Sequence, residues 1–125
     1  MTIHQRTWPI LMFLWATVIM VVSVIPGADL PSLSIWEPDK VMHAFVYAVL
    51  TFLTFQFFNK SFSSLNSLNK KAFISVTVCI LYGFIIELIQ LILPTRSFDF
   101  LDELANTIGC LLSLTGILVF SSKRK

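Results

Sequence analysis

Charged residues are scarce in this sequence, since Asp, Glu, Lys and Arg make up 13% of its 125 residues while hydrophobic residues make up 56%. A water-soluble domain of this length exposes a large share of its surface and could not bury so many apolar side chains. The scarcity of charge therefore argues against a soluble domain and indicates the lipid bilayer as the solvent. The length fits a single domain. The basic residues fall in short segments rather than along one stripe, so we expect no nucleic-acid partner.

Cysteine is also scarce: the chain has Cys79 and Cys110, both inside hydrophobic stretches. If these stretches are membrane-crossing helices, the two residues lie at depths that differ by roughly 10 Å, which exceeds the reach of a disulfide. No cysteine spacing typical of a metal site is present. We therefore expect both cysteines to be small packing residues.

Four apolar runs approach the length of about 20 residues that a helix needs to cross the hydrocarbon core. They cover residues 8–25, 41–58, 72–93 and 104–120. Because backbone polar groups in lipid must be satisfied within the segment, each run predicts a helix. Together they predict an all-α fold, a single-domain membrane bundle of four helices. We expect the first run to be retained rather than cleaved as a signal peptide, since Pro26-Gly27-Ala28 is a poor cleavage site.

The distribution of basic residues predicts which segments of the chain face the cytoplasm. Seven of the nine precede the first run, separate the second from the third, or follow the fourth: Arg6, Lys60, Lys70, Lys71, Lys123, Arg124 and Lys125. The other two connections and the helix starts beside them hold the acidic residues Asp29, Glu37, Asp39, Asp99, Asp102 and Glu103. We therefore predict that both termini are cytoplasmic and that the acidic connections face outward.

Polar residues recur at helical spacing in the outward halves of three of these runs, three or four residues apart, so each set shares one helix face. The sets are Asp39, His43 and Tyr47; Gly83, Glu87 and Gln90; and Asp102, Asn106 and Gly109. Helix rise sorts them into two depths, about 5 Å and about 10 Å below the outer boundary. The shallow set is His43, Gln90 and Asn106, and the deep set is Tyr47, Glu87 and Gly109. We predict that the three faces meet in a one-sided, outward-facing polar pocket.

Glu87 is the strongest single indication of a site. A carboxylate within the hydrocarbon costs at least about 2–3 kcal/mol, so such residues normally face the bundle interior and have a partner. His43 and Arg96 are the cations at suitable depth, and Gly83 and Gly109 would let the helices approach closely there. Glu87 and His43 are the candidate acid/base pair for catalysis. The alternative is a structural polar clamp between helices.

The connection before the fourth run predicts an anion site. Pro94 ends the third run and holds Arg96 just above the membrane boundary, while Lys40 and His43 lie near the start of another helix. Helix N-termini with cations beside them bind phosphate groups. The candidate ligand-binding residues are Arg96, Lys40, Asp39, Tyr47, Gln90, Asp99, Asp102 and Asn106. Structural alternatives stay open, namely a loop brace formed by Arg96 with its acidic neighbours, interhelical hydrogen bonds from Gln90 and Asn106, and a helix cap at Asp39.

Metal and cofactor binding have little support in the sequence. Asp39, His43, Glu87 and Asp102 are of metal-ligating types, but a single histidine without a paired-histidine spacing argues against a bound metal. Glycine-rich phosphate loops, nucleophile elbows and dinucleotide fingerprints are also lacking. We therefore expect no metal and no cofactor, and the motifs predict no particular reaction.

The polar positions form three motifs that resemble the VanZ-like family. They are Asp39-Lys40-x-x-His43-x-x-x-Tyr47, Tyr82-Gly83-x-x-x-Glu87-x-x-Gln90, and Pro94-x-Arg96-Ser97-Phe98-Asp99-x-x-Asp102-x-x-Asn106-x-x-Gly109. The last is the most specific, because its fixed length is hard to reach by chance. Thr95 and Ser113 stand where the family often has glycine. The family's namesake is linked to low-level teicoplanin resistance, so the resemblance implies a bacterial envelope protein.

Three functions compete at this stage. The favoured one is a site that binds an anionic lipid or a polyprenyl-linked cell-wall precursor at the outer leaflet and modifies or sequesters it. The second is a non-enzymatic membrane component that supports a partner protein, with the polar cluster serving helix packing. A transporter or proton pathway is the weakest, because the inward halves of the runs carry almost no ionisable residue.

Overall fold

The computed structural model describes residues 3–26, 38–62, 64 and 67–123. Within them the chain forms four α-helices and no strand: α1 Ile3–Val24, α2 Pro38–Ser61, α3 Leu68–Ile92 and α4 Phe100–Ser122. All four are long and apolar enough to cross a membrane, with mean hydropathy between 1.7 and 2.3 in their most apolar windows. The predicted all-α architecture of four membrane-spanning helices is confirmed.

All four helices begin before the apolar runs because polar first turns and caps lie outside the hydrophobic part. α4 begins at Phe100 rather than at residue 104, since the carboxylate of Asp99 accepts a hydrogen bond from the backbone N–H of Leu101 over 2.8 Å. α3 begins at Leu68, where the hydroxyl of Ser67 accepts from the backbone N–H of Lys70 over 3.5 Å. Hydropathy locates a membrane span, whereas capping residues locate the ends of its helix.

The helices differ in how much of their surface the bundle covers. Of the most apolar window, 39% is buried in α3 and 6% in α1, so α1 lies at the periphery. Large apolar side chains point away from the bundle, among them Ile92, Val41 and Phe120, which are 78%, 71% and 72% exposed. In a bilayer these side chains contact lipid, which replaces the buried core of a soluble domain.

Two glycines permit the close approach of helices. α2 and α4 form the most intimate pair, and a Cβ atom at Gly109 would overlap the carbonyl oxygen of Ala44. A Cβ atom at Gly83 of α3 would lie 2.8 Å from the Oε2 atom of Glu103 and 3.1 Å from the ring of Tyr47. The prediction that Gly83 and Gly109 allow close packing is confirmed.

Several residues used to judge signal-peptide cleavage or to orient the protein lie outside the described part of the chain. They are Gly27 and Ala28 for cleavage, and Asp29, Glu37, Arg124 and Lys125 for orientation. The placement of both termini in the cytoplasm therefore stays a prediction. We call the end of the bundle at which α1 and α3 finish and α2 and α4 start the polar end.

Candidate functional site

A pocket of about 330 Å³ opens at the polar end, between α1, α2, the end of α3 and the first turn of α4. Its apolar wall comes from α1 and α2 and consists of Trp15, Val18, Ile19, Val22, Met42 and Val46. Six predicted site residues line the rest of it: Asp39, His43, Tyr47, Gln90, Arg96 and Asp102. The pocket is therefore amphipathic, with a hydrocarbon-like wall beside a group of ionisable side chains.

His43 connects α2 to α4 through both of its ring nitrogens. Its Nδ1 atom lies 3.0 Å from the amide oxygen of Asn106. On the other side of the ring, Nε2 lies 3.6 Å from a carboxylate oxygen of Asp39 and 3.7 Å from one of Asp102. The sequence-based grouping of His43 with Asn106 at one depth agrees with this hydrogen bond.

Glu103 is a residue of the site that the sequence reasoning assigned to an outward-facing connection. Its Oε2 atom accepts a hydrogen bond from the amide nitrogen of Asn106 over 3.3 Å, and Gly83 leaves the space that the carboxylate fills. Asn106 is 2% exposed, so this carboxylate supports a buried amide. The spacing of three residues between Glu103 and Asn106 was the signal that could have placed both on one face.

Lys40 lies beside carboxylates rather than in the pocket lining. Its Nζ atom is 3.7 Å from Asp102 and 4.0 Å from Asp99. Because both partners carry negative charge, they offset most of the charge that Lys40 could offer to an anion.

In the part of the chain that the structure describes, Arg96 contacts the end of α1 and not Asp99 or Asp102. Its Nε atom donates to the carbonyl oxygen of Ile25 over 3.0 Å, and its Nη2 atom donates to that of Val22 over 3.4 Å. Helical geometry would pair the Val22 carbonyl with the nitrogen of Pro26, which carries no hydrogen. Arg96 therefore supplies donors that the last turn of α1 lacks, and a cation at a helix C-terminus is also favoured by the helix dipole.

Gln90 serves the same helix end, since its side-chain nitrogen donates to the carbonyl oxygen of Ser23 over 3.0 Å. Gln90 lines the pocket together with His43, and its described hydrogen bond joins it to α1.

Glu87 contacts the chain where it turns back from α3 to α4. The carboxylate is 1% exposed, and its Oε2 atom accepts a hydrogen bond from the backbone N–H of Asp99 over 3.0 Å. Within the described residues Glu87 and His43 share no hydrogen bond or ion pair, so their role as an acid/base pair stays a prediction. Glu87 instead contacts the residue that caps the start of α4.

Comparison with known proteins identifies the family. A family model described as VanZ/LLP1 matches residues 8–121, which is nearly the whole chain. The chain belongs to the VanZ/LLP1 family. The resemblance seen in the polar motifs is therefore confirmed, and six of the motif residues line the pocket.

Among curated proteins, the chain is similar to an uncharacterized protein of Schizosaccharomyces pombe. It is 31% identical over 108 residues, which cover 86% of this chain and 62% of the relative. The chain thus spans somewhat under two thirds of the length of that protein. No solved structure matches significantly. Since the relative has no assigned activity, what this VanZ/LLP1 protein binds must be argued from the pocket.

Proposed function

We propose that this VanZ/LLP1 protein binds an anionic amphiphile, a phospholipid or a polyprenyl-linked cell-wall precursor, in the pocket at the polar end. The observation that supports this most is the division of the pocket into an apolar wall on α1 and α2 and a polar part around His43 and Arg96. An acyl or prenyl chain fits beside the apolar wall while a phosphate remains at the end of the bundle. A pocket of about 330 Å³ accommodates a head group and the first part of a chain.

Arg96 is the residue best suited to hold the phosphate. A guanidinium group has five N–H donors, and the described contacts of Arg96 use two nitrogens on carbonyl oxygens. Those oxygens are neutral, and Arg96 forms no ion pair within the described residues, so its charge is not offset there by a carboxylate. Lys40 and His43 instead face the carboxylates of Asp39 and Asp102. Binding of the phosphate thus depends mainly on Arg96, which also lines the pocket.

The position of the pocket in the cell follows from charge. Basic residues gather at the end opposite the pocket, among them Lys60, Lys70 and Lys71. The positive-inside rule places that end in the cytoplasm. We therefore propose that the protein spans the bacterial cytoplasmic membrane, with both termini in the cytoplasm and the pocket open to the outer leaflet. Binding of a cell-wall precursor there would also change susceptibility to teicoplanin, as the resemblance to VanZ suggests.

A second candidate function is a non-enzymatic membrane component that supports a partner protein, with the polar cluster serving helix packing. It is favoured by the way α1 is attached, because Tyr82, Gln90 and Arg96 donate to backbone oxygens of α1. The Tyr82 hydroxyl reaches the carbonyl oxygen of Ala16 over 2.6 Å. The same arginine and glutamine would then be braces, and removal of either would reduce stability without any effect on a ligand.

Two variants separate these functions. Val46→Trp places an indole in the pocket and removes none of the side chains that donate to α1, and the Val46 carbonyl oxygen that accepts from the Trp15 indole over 3.0 Å is a backbone atom that the variant keeps. Tyr82→Phe removes one brace and leaves the pocket lining unchanged. Native mass spectrometry with phosphatidylglycerol in mixed micelles measures retained lipid. We expect loss of lipid from Val46→Trp and from Arg96→Ala, and retention by Tyr82→Phe. Equal retention by the wild type and Val46→Trp would refute lipid binding in this pocket.

A further inference from the structure

Three side chains at the mouth of the pocket bring one nitrogen and two oxygens together. Asp39 and His43 lie one turn apart on α2, and Asp102 lies in the first turn of α4. One ligand atom from each residue lies within 4.8 Å of the others. The Nε2 atom of His43 is the shared neighbour, at 3.6 Å from Asp39 and 3.7 Å from Asp102.

Contacts behind the imidazole ring determine which nitrogen carries the hydrogen. The amide nitrogen of Asn106 donates to Glu103, so the amide oxygen of Asn106 faces the Nδ1 atom of His43 at 3.0 Å. An amide oxygen only accepts, so Nδ1 is the donor. In the neutral ring, Nε2 then presents a lone pair to two carboxylates. A histidine held in this way by a polar partner on its other nitrogen is typical of metal ligands.

The distances between these atoms leave room for a bound metal ion. A hydrogen bond from a protonated Nε2 would need about 2.7–3.2 Å, and both separations exceed this range. An ion bound at about 2.1 Å to atoms this far apart subtends an angle of about 120° between them, close to the tetrahedral and trigonal angles of bound Zn²⁺. The side chain of Asp39 is 70% exposed and can rotate to complete the geometry.

The two oxygens of Asp102 lie in different surroundings. Its Oδ1 atom is buried and has no hydrogen-bond partner within the described residues, and Lys40 stands 3.7 Å from it. The other oxygen, Oδ2, faces His43. The lysine thus stabilises the charged carboxylate from one side and leaves the oxygen toward His43 available to a ligand.

We infer that Asp39, His43 and Asp102 bind a divalent transition-metal ion, Mn²⁺ or Zn²⁺, whose open positions face the pocket. The sequence alone indicates no metal because it has no paired-histidine spacing. The structure changes this expectation because it brings Asp39 and His43 of α2 together with Asp102 of α4. One part of this inference rests on the proposed function: the bound ion gives the lipid phosphate a second positive partner beside Arg96.

Electron paramagnetic resonance of Mn²⁺ tests the site without any lipid. The purified full-length protein in neutral micelles is titrated with Mn²⁺, and we expect saturation at one ion per chain and displacement by Zn²⁺. Spin-echo modulation should show coupling to a histidine nitrogen in the wild type. This signal requires no variant, so a poorly folded variant does not weaken the test. A titration without saturation, or bound Mn²⁺ without nitrogen coupling, would overturn the site.

Variants then distinguish coordination from a diffuse attraction to acidic residues. Asp102→Asn and His43→Ala should weaken Mn²⁺ binding more than tenfold, and Asn106→Leu should weaken it about 10–100-fold because the partner behind the histidine is lost. Asp99→Asn is the matched control, since it removes a neighbouring charge while asparagine still caps α4. Equal effects of Asp99→Asn and Asp102→Asn would show that the ion is not coordinated.

The role of the metal in lipid binding is measured separately. Native mass spectrometry with phosphatidylglycerol is repeated after treatment with a chelator. Reduced lipid retention that is restored by Mn²⁺ supports the bridging role. Unchanged retention contradicts the bridging role while leaving the proposed lipid binding intact, and loss of retention in Val46→Trp with normal Mn²⁺ binding shows that the two sites are distinct.

Discussion

Replacement of Gly109 by alanine is the sharpest test of how the bundle positions the site. A Cβ atom there would overlap the backbone carbonyl of Ala44, which cannot rotate away as a side chain could. Overpacking of a tight contact costs about 1–3 kcal/mol, and the rigid neighbour favours the upper end. Alanine regains about 0.5–1 kcal/mol through helix propensity. The expected net loss is about 2 kcal/mol, or roughly 30-fold in the folding equilibrium.

Gly116 is the matched control on the same helix. A Cβ atom at this position meets nothing within 4 Å, so Gly116→Ala should be neutral or stabilising by up to about 1 kcal/mol. Both variants are unfolded in mixed micelles with increasing denaturing detergent and followed by circular dichroism. Since α2 and α4 carry His43 and Asn106, Gly109→Ala should also weaken Mn²⁺ binding. Equal stability of the two variants would refute the close α2–α4 contact.

Further predictions concern single contacts at the polar end. Glu87→Leu should lower the free energy of unfolding by about 1–3 kcal/mol because the N–H of Asp99 loses its acceptor, whereas Glu87→Gln keeps an acceptor and should cost less. The same unfolding assay compares the two variants, and equal losses of stability would show that Glu87 does not hold the start of α4 through this hydrogen bond. Arg96→Lys should lower stability by about 1 kcal/mol through lost contacts with α1 and reduce lipid retention, and unchanged values in both assays would exclude Arg96 as brace and clamp. A bacterial host that carries the wild-type protein should tolerate more teicoplanin than one that carries Val46→Trp at equal protein abundance. Identical inhibitory concentrations would show that the pocket has no role in teicoplanin resistance.

The fold was predictable because hydropathy and length alone determine membrane spans. The positions of Gly83 and Gly109 could be read as close-packing sites, since small residues recur where polar helix faces meet. The same reasoning identified His43 and Asn106 as neighbours, because their depth below the boundary depends on helix rise.

The partners of the long polar side chains could not be predicted in the same way. Glu87, Gln90 and Arg96 reach backbone groups of other segments, namely the start of α4 and the end of α1. The contacts of Glu87 and Arg96 depend on how the chain between α3 and α4 folds back, and the contact of Gln90 depends on where α1 ends beside α3. Neither feature carries a periodic signal in the sequence. Glu103 was assigned to a connection because the apolar run begins after it, although α4 already includes it.

The direct test of the central claim, lipid binding in the pocket, is photocrosslinking with a phospholipid that carries a reactive group on its acyl chain. Peptide mapping then locates the adducts on the full-length protein. The account predicts adducts concentrated on the apolar wall of the pocket, at Val18, Met42 and Val46, that disappear in Val46→Trp. Adducts spread equally over lipid-facing residues remote from the pocket, such as Phe120 and Ile108, would contradict it.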